Sequence, residues 1–236
     1  VSSSPLYSCG RGEARRRWKR NRGLPSHRRR SDFLLFGKNH AEDPTVHEFA
    51  LSVIKRMSAF VKECAERNDL NFSLYATPAE GLCRTALVAL RNQYGIIENV
   101  TSREYLTNSH HVPVWMKVSI NEKLKLEAPF CKYPTGGCIT YVELDSTFVK
   151  NTKAIEQIID YAFQKLDIPY LAFNFPIDSC LDCGYQAEFN DACPECGSHN
   201  IQQLRRVTGY LTTDYRHFNK GKQSEVEHRV KHSLCK

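Results

Sequence analysis

The alternation of apolar and polar positions changes character several times along the chain. In "DPTVHEFALSVIKRMSAFVKECAER" Asp43 is an N-cap candidate with Pro44 at the first helical position. Phe49, Ile54, Met57, Val61 and Cys64 then recur at helical spacing. "NFSLYA" reads as a short strand, and Thr77 with Glu80 forms a T-x-x-E capping box opening a second helix over "TPAEGLCRTALVAL". "HVPVWMKVSI" and "CITYVEL" read as further strands. "TKAIEQIIDYAFQKLD" is an amphipathic helix, and "IPYLAFNF" is a strand after it. Helices alternating with about four strands predict an α/β architecture with some parallel pairing. The sheet is small for this length and fits part of a larger barrel. No internal repeat is visible.

Before Phe33 the pattern is absent. Residues 1–32 hold ten Lys/Arg against two acidic residues, a net of +8 out of the chain's +7, so the remainder carries −1. The head is expected to be disordered, either as a basic arm for nucleic acid or a membrane surface or as an unrelated leader. The leader reading is preferred, because runs of like charge are usually just solvated. The near-neutral body offers no basic surface to recruit nucleic acid. No apolar run has the length of a membrane span. The chain begins at Val1, which suggests a processed or truncated product.

After Phe175 the texture changes to cysteine and glycine. Six of the ten cysteines are scattered: Cys9, Cys64, Cys83, Cys131, Cys138 and Cys235. Those between Cys64 and Cys138 read as small buried hydrophobes. The other four fall in "CLDCGYQAEFNDACPECG" as two Cys-x-x-Cys pairs, Cys180/Cys183 and Cys193/Cys196. Each pair offers two thiolates from one turn, and the glycine behind it lets the backbone close. Zinc is the first choice of metal, and iron in a rubredoxin-type site shares the ligand pattern. No coordination position is left open, so the site reads as a structural staple or a nucleic-acid-binding ribbon. A reducing, cytoplasmic compartment follows from metal-type rather than disulfide-type cysteine spacing.

The segment "RRVTGYLTTDYRHFNKGKQSEVEHRVKH" resembles the C-terminal glycyl-radical segment of class III (anaerobic) ribonucleotide reductases. The match includes Arg206, Gly209, Tyr210, the run Phe218 to Lys222, Glu225, Arg229 and His232. "NFSLYATPAEGLC", "TNSHHVPVWMKVSINEKLKLEAPF", "YPTGGCITYVEL" and "FNFPIDSCLDCGY" resemble successive blocks of the same enzymes. The resemblance runs from Phe33 to His232. It implies half of a glycyl-radical-type α/β barrel over 33–176, then a zinc-binding, glycyl-radical segment over 177–236. It implies Gly209 as the radical residue and Cys180, Cys183, Cys193 and Cys196 as zinc ligands.

A Cα radical is stabilised by planar delocalisation over the adjoining amides, which a side chain would crowd, so glycine suits the position. The implied partners are an activase using S-adenosylmethionine and an iron–sulfur cluster, and an N-terminal half or full-length reductase chain. The implied substrates are ribonucleoside triphosphates, with formate as reductant. The thiyl-forming cysteine of the family has no counterpart here, so the chain alone is expected to be inactive. Two further readings are a spare part that complements a damaged reductase and a zinc-ribbon nucleic-acid binder, which leaves the glycine segment unexplained.

Overall fold

The computed structural model describes residues 35–232, apart from 77, 78, 80, 190 and 208. The basic head and the Thr77/Glu80 capping box therefore lie outside the described residues. Helix α1 spans Pro44–Asn68. The Asp43 carboxylate accepts from the N–H groups of Thr45 and Val46, and Asp69 in the left-handed conformation ends the helix. Helix α2 spans Gly81–Tyr94 and α3 spans Ile120–Cys131. The capping box of α3 pairs Ser119 with Glu122. Strand β1 (Thr140–Glu143) leads through a 3-10 turn into α4 (Thr152–Asp160), which widens into a π turn over Tyr161–Lys165. The chain returns as β2 (Leu171–Asn174), parallel to β1, with Thr140 opposite Leu171.

The main apolar cluster lies where α3, β1 and α4 meet. Ile120, Leu124, Val142, Leu144, Ile158 and Ile168 are all nearly inaccessible to solvent. Burying each such side chain stabilises by about 1.5–3 kcal/mol before conformational entropy is charged.

The remaining strands are β3 (Ile177–Cys180), β4 (Gln186–Ala187), β5 (Ile201–Val207) and β6 (Tyr210–Thr212). They form one antiparallel sheet in the order β4-β3-β5-β6. Helix α5 (Lys220–His228) follows, opened by the Asn219 side chain accepting from the N–H of Lys222.

The expected half barrel is not present. Among the described residues, parallel pairing is confined to β1 and β2, and the other sheet is wholly antiparallel, so neither builds a barrel wall. Two segments read as strands fail for local reasons. Residues 71–76 are bonded not to a strand but to a loop, with Gly136 N–H donating to Leu74 O (2.6 Å) and Ala76 N–H donating to Gly137 O (2.9 Å). In 111–119, Pro113 has no N–H to give a ladder, its carbonyl closes a turn onto Met116, and Ser119 already caps α3.

Candidate functional site

The four cysteines of the paired motif converge. In the first knuckle the Gly184 N–H donates to Cys180 O (2.9 Å), and in the second the Gly197 N–H donates to Cys193 O (2.9 Å). Both glycines have positive φ, +77° and +71°, which L side chains rarely adopt. The Asp182 carboxylate joins the knuckles by accepting from Asn200 Nδ2 (2.7 Å) and from the Ser198 hydroxyl. These two hydrogen bonds hold its carboxyl below the usual range. The Sγ pairs Cys180–Cys196 and Cys183–Cys193 are each 3.6 Å apart, and all four sulfurs lie within 4.8 Å of one another. A tetrahedral ion with bonds of about 2.3 Å needs sulfurs about 3.8 Å apart, so the donor set fits a four-thiolate metal site. The Cys180 thiol is lowered to about 7, led by the N–H of Cys183.

Gly209 lies elsewhere on the same sheet. Strand β3 carries Cys180 opposite Ile201, the first residue of β5, and the turn holding Gly209 joins the last residue of β5, Val207, to Tyr210. At 3.3 Å per residue the two ends of β5 are roughly 20 Å apart. Gly209 is exposed, as are Tyr210 and Leu211. The Arg205 guanidinium grips the fully buried Asp178 carboxylate (Nη2–Oδ2 3.2 Å), tying β5 to β3. The Arg206 guanidinium lies 5.8 Å from the Tyr141 ring centre.

Helix α5 and the residues after it meet the body through charge. Gly221 approaches the backbone so closely that a Cβ would sit 2.9 Å from Glu104 O. Lys222 pairs with Glu225 (2.7 Å), and Arg229 bridges Glu225 (3.0 Å) and Glu143. His232 N–H donates to Glu143 O (2.8 Å), and Glu143 N–H donates back to His232 Nδ1 (3.0 Å). Burial raises the Glu143 carboxyl against the opposing pull of Arg229. Behind this lies a second buried group: Glu127 accepts from Val112 N–H (2.7 Å) and contacts His111 Nδ1 (3.1 Å) and Lys123. Complete burial acts to raise its carboxyl, yet Lys123 and His111 hold it well below the usual range. A cavity of about 40 Å³ separates the two groups, with His111, Tyr141 and Arg229 on its walls.

Neither carboxylate group is singled out by spacing in the sequence, because its members come from separate elements. The scattered cysteines also divide. Cys64 and Cys83 are buried in helices, as their apolar reading expects. Cys131 and Cys138 are buried as well, and they also meet His110, with Cys131 Sγ 3.8 Å from His110 Nε2. The adjacent His110 and His111 are both buried and serve different clusters.

Comparison with known proteins agrees with the motif reading. The family model described as anaerobic ribonucleoside-triphosphate reductase matches residues 32–232. The anaerobic ribonucleoside-triphosphate reductase of Haemophilus influenzae is 38% identical over 208 residues, covering 84% of this chain and 29% of the relative. The enzyme of the same name from Enterobacteria phage T4 is 39% identical over 189 residues, covering 76% of this chain and 31% of the relative. The chain thus spans under a third of the length of these relatives.

A solved anaerobic ribonucleotide reductase superposes with a TM-score of 0.64 at 21% identity, over 81% of this chain and 30% of that one. The Thermotoga maritima anaerobic ribonucleotide reductase in complex with dATP and CTP gives 0.57 at 21% identity, over 77% and 28%. With a family model matching nearly all of the chain after the basic head, and relatives close to two-fifths identical, the chain belongs to the anaerobic ribonucleoside-triphosphate reductase family.

Proposed function

We propose that this chain is the glycyl-radical-bearing C-terminal part of an anaerobic ribonucleoside-triphosphate reductase, with Gly209 as the radical residue. The observation that carries the reading is the placement of Gly209 on an exposed turn at one end of β5, whose other end pairs with the strand bearing Cys180. In this reading residues 33–176 are reductase body, 177–236 are the metal-clamped radical segment, and 1–32 are a leader outside both.

An activase using S-adenosylmethionine and an iron–sulfur cluster removes one hydrogen atom from the Gly209 Cα. The exposure of the turn supports access for such a partner. The resulting radical delocalises over the amides on either side, and no Cβ crowds the planar form. It then takes a hydrogen atom from a cysteine thiol, leaving the thiyl that abstracts the ribose 3′ hydrogen of a ribonucleoside triphosphate. That cysteine belongs to the part of the relatives' length that this chain does not span, so turnover requires an N-terminal half or a full-length chain. Formate is the reductant and the cytoplasm the site of action in this reading.

Cys180, Cys183, Cys193 and Cys196 would hold zinc, which supplies folding energy to a segment with little apolar core. The chain's own residues do the positioning. Arg205 on Asp178 fixes β5 against β3, and Arg206 over Tyr141 steadies the end of β5 nearest the glycine.

The test is an electron paramagnetic resonance spectrum after anaerobic incubation of the full chain with a matching activase, S-adenosylmethionine and reductant. A glycine-type doublet that disappears in Gly209→Ala is expected. Silence of the zinc-loaded chain alone would mean an incomplete docking surface for the activase, and silence that persists when an N-terminal reductase half is supplied would refute the assignment.

A further inference from the structure

The cluster at His110, Cys131 and Cys138 lies outside the radical segment and is not used by the mechanism above. We propose that it is a second zinc site, held by His110 Nε2 and the sulfurs of Cys131 and Cys138.

Three donor atoms from three places in the chain lie within 4.8 Å of one another, and all three residues are buried. Bonds of about 2.3 Å to sulfur and about 2.0 Å to nitrogen require a sulfur–nitrogen separation of about 3.5 Å, and 3.8 Å is found from Cys131 to His110. For this pair, closing on an ion asks for a movement of a few tenths of an ångström. Thr140 Oγ1 lies 3.8 Å from Cys131 Sγ.

The surroundings hold the donors in place. The His110 ring is stacked on Phe130 at 5.4 Å with an interplanar angle of 12°, which sets the direction of Nε2. Cys131 ends α3, and a loop returns the chain to Cys138, closed by Gly137 N–H on Pro134 O (2.9 Å). Two thiolates neutralise a divalent cation, so the complex carries no net charge into a buried position. A soft sulfur and imidazole set selects zinc over magnesium or calcium, which take oxygen.

The site also lies where two irregular segments meet. Among the described residues, the buried apolar cluster around the two sulfurs is Ala76 with Cys131 and Cys138. The segments that meet there, 107–112 and 131–138, are mostly irregular, and the second also holds residues 73–76 through Gly136. A cation there would tie 107–112 to 131–138 beside the apolar contact that Leu74, Phe130 and Tyr133 already make.

The experiment is a cobalt(II) titration of the full chain, reduced, stripped with chelator and kept anaerobic. Two equivalents should bind. The second should show about half the thiolate-to-cobalt charge-transfer intensity of the first, following two sulfurs against four. Cys131→Ala with Cys138→Ala should lose one equivalent and keep the four-thiolate spectrum. The converse variant, with Cys180, Cys183, Cys193 and Cys196 all changed to Ser, should keep one equivalent at the lower intensity. Saturation of the unaltered chain at one equivalent overturns the proposal, as does a second equivalent surviving in the alanine variant. Should the alanine variant fail to fold, the serine variant decides. One retained two-thiolate equivalent upholds the site, and none overturns it.

Discussion

His232 is the residue whose ionisation the fold opposes most legibly. Burial pushes its imidazole down to about 3 from an ordinary 6.5, and the charges of Lys123 and Arg229 act in the same direction against Glu127. Its Nδ1 accepts from the Glu143 N–H, so protonation there would also break a hydrogen bond. The unfolded chain takes up a proton below 6.5 while the folded chain resists until about 3. Stability from this residue is therefore complete above 6.5 and falls as pH drops through that window. Between about pH 7 and about pH 5 the loss is about 2 kcal/mol, from 1.36 kcal/mol per unit over the 1.5 or so units crossed. Glu143 acts with the opposite sign: its raised carboxyl favours the folded state at low pH and loses that advantage as pH rises.

His232→Asn separates the two effects. Asn keeps an acceptor near the position of Nδ1 and does not titrate, while Glu143 remains. Urea denaturation of both chains at each pH, compared at equal slope, should show wild type losing about 2 kcal/mol relative to the variant between about pH 7 and about pH 5. Parallel pH profiles would show that His232 is not held neutral by this packing, and the reasoning would fail.

Gly136→Ala should cost about 1–3 kcal/mol in the same denaturation assay. Its Cβ would lie 2.9 Å from Tyr75 Cβ and 3.1 Å from Leu74 O, and a fall below a few tenths would mean that the 73–76 segment moves freely. Arg205→Met strands the fully buried Asp178 carboxylate and should destabilise by about 3–5 kcal/mol, with much of it recovered by adding Asp178→Asn. No recovery would place the role of Arg205 in packing rather than charge. Chelation, or Cys193→Ser, should expose residues 180–214 to limited proteolysis while α1 to α4 stay protected. Unchanged cleavage would exclude a clamping role for the four-cysteine cluster.

What was legible in the sequence is what local chemistry decides. Asp43 and Pro44 announce α1, and two Cys-x-x-Cys turns with their glycines announce a cluster that the chain closes by itself. The strands β1 and β2 fell inside "CITYVEL" and "IPYLAFNF", which carry the β-branched and aromatic residues of a strand. Helix α3 was missed although Ser119 and Glu122 form a capping box and Ile120, Leu124, Ala128 and Cys131 share a face. Pro129 lies inside the helix near its end, where its absent N–H costs only one bond. The absence of a barrel was not legible, since an extended segment such as 71–76 has the same local pattern whether a strand or a loop accepts its bonds. The His110 cluster was hidden for a similar reason: its donors are close only because α3 ends where the 107–112 turn passes.

The attachment of the C-terminal segment is unusual in what it buries. From Lys220 to His232 the buried residues are Gly221, Lys222, Glu225 and His232, with no large apolar side chain among them. Buried ion pairs contribute little net stability compared with apolar packing, but a wrong partner leaves a charge bare and is strongly disfavoured. Register is thus set more firmly than strength: Gly221 fits only against the Glu104 backbone, and Arg229 must reach Glu225 and Glu143 together. Arg229 Nη1 also donates to Arg206 O (3.4 Å), on the strand that ends in the Gly209 turn. That strand is consequently held at one end by its pairing with Cys180, along its length by Arg205 on Asp178, and near the glycine by Arg229. Loss of Arg229 would leave Glu143 without its cation and Glu225 with Lys222 alone, so the hairpin and α5 should detach as a unit rather than fray from the turn inward.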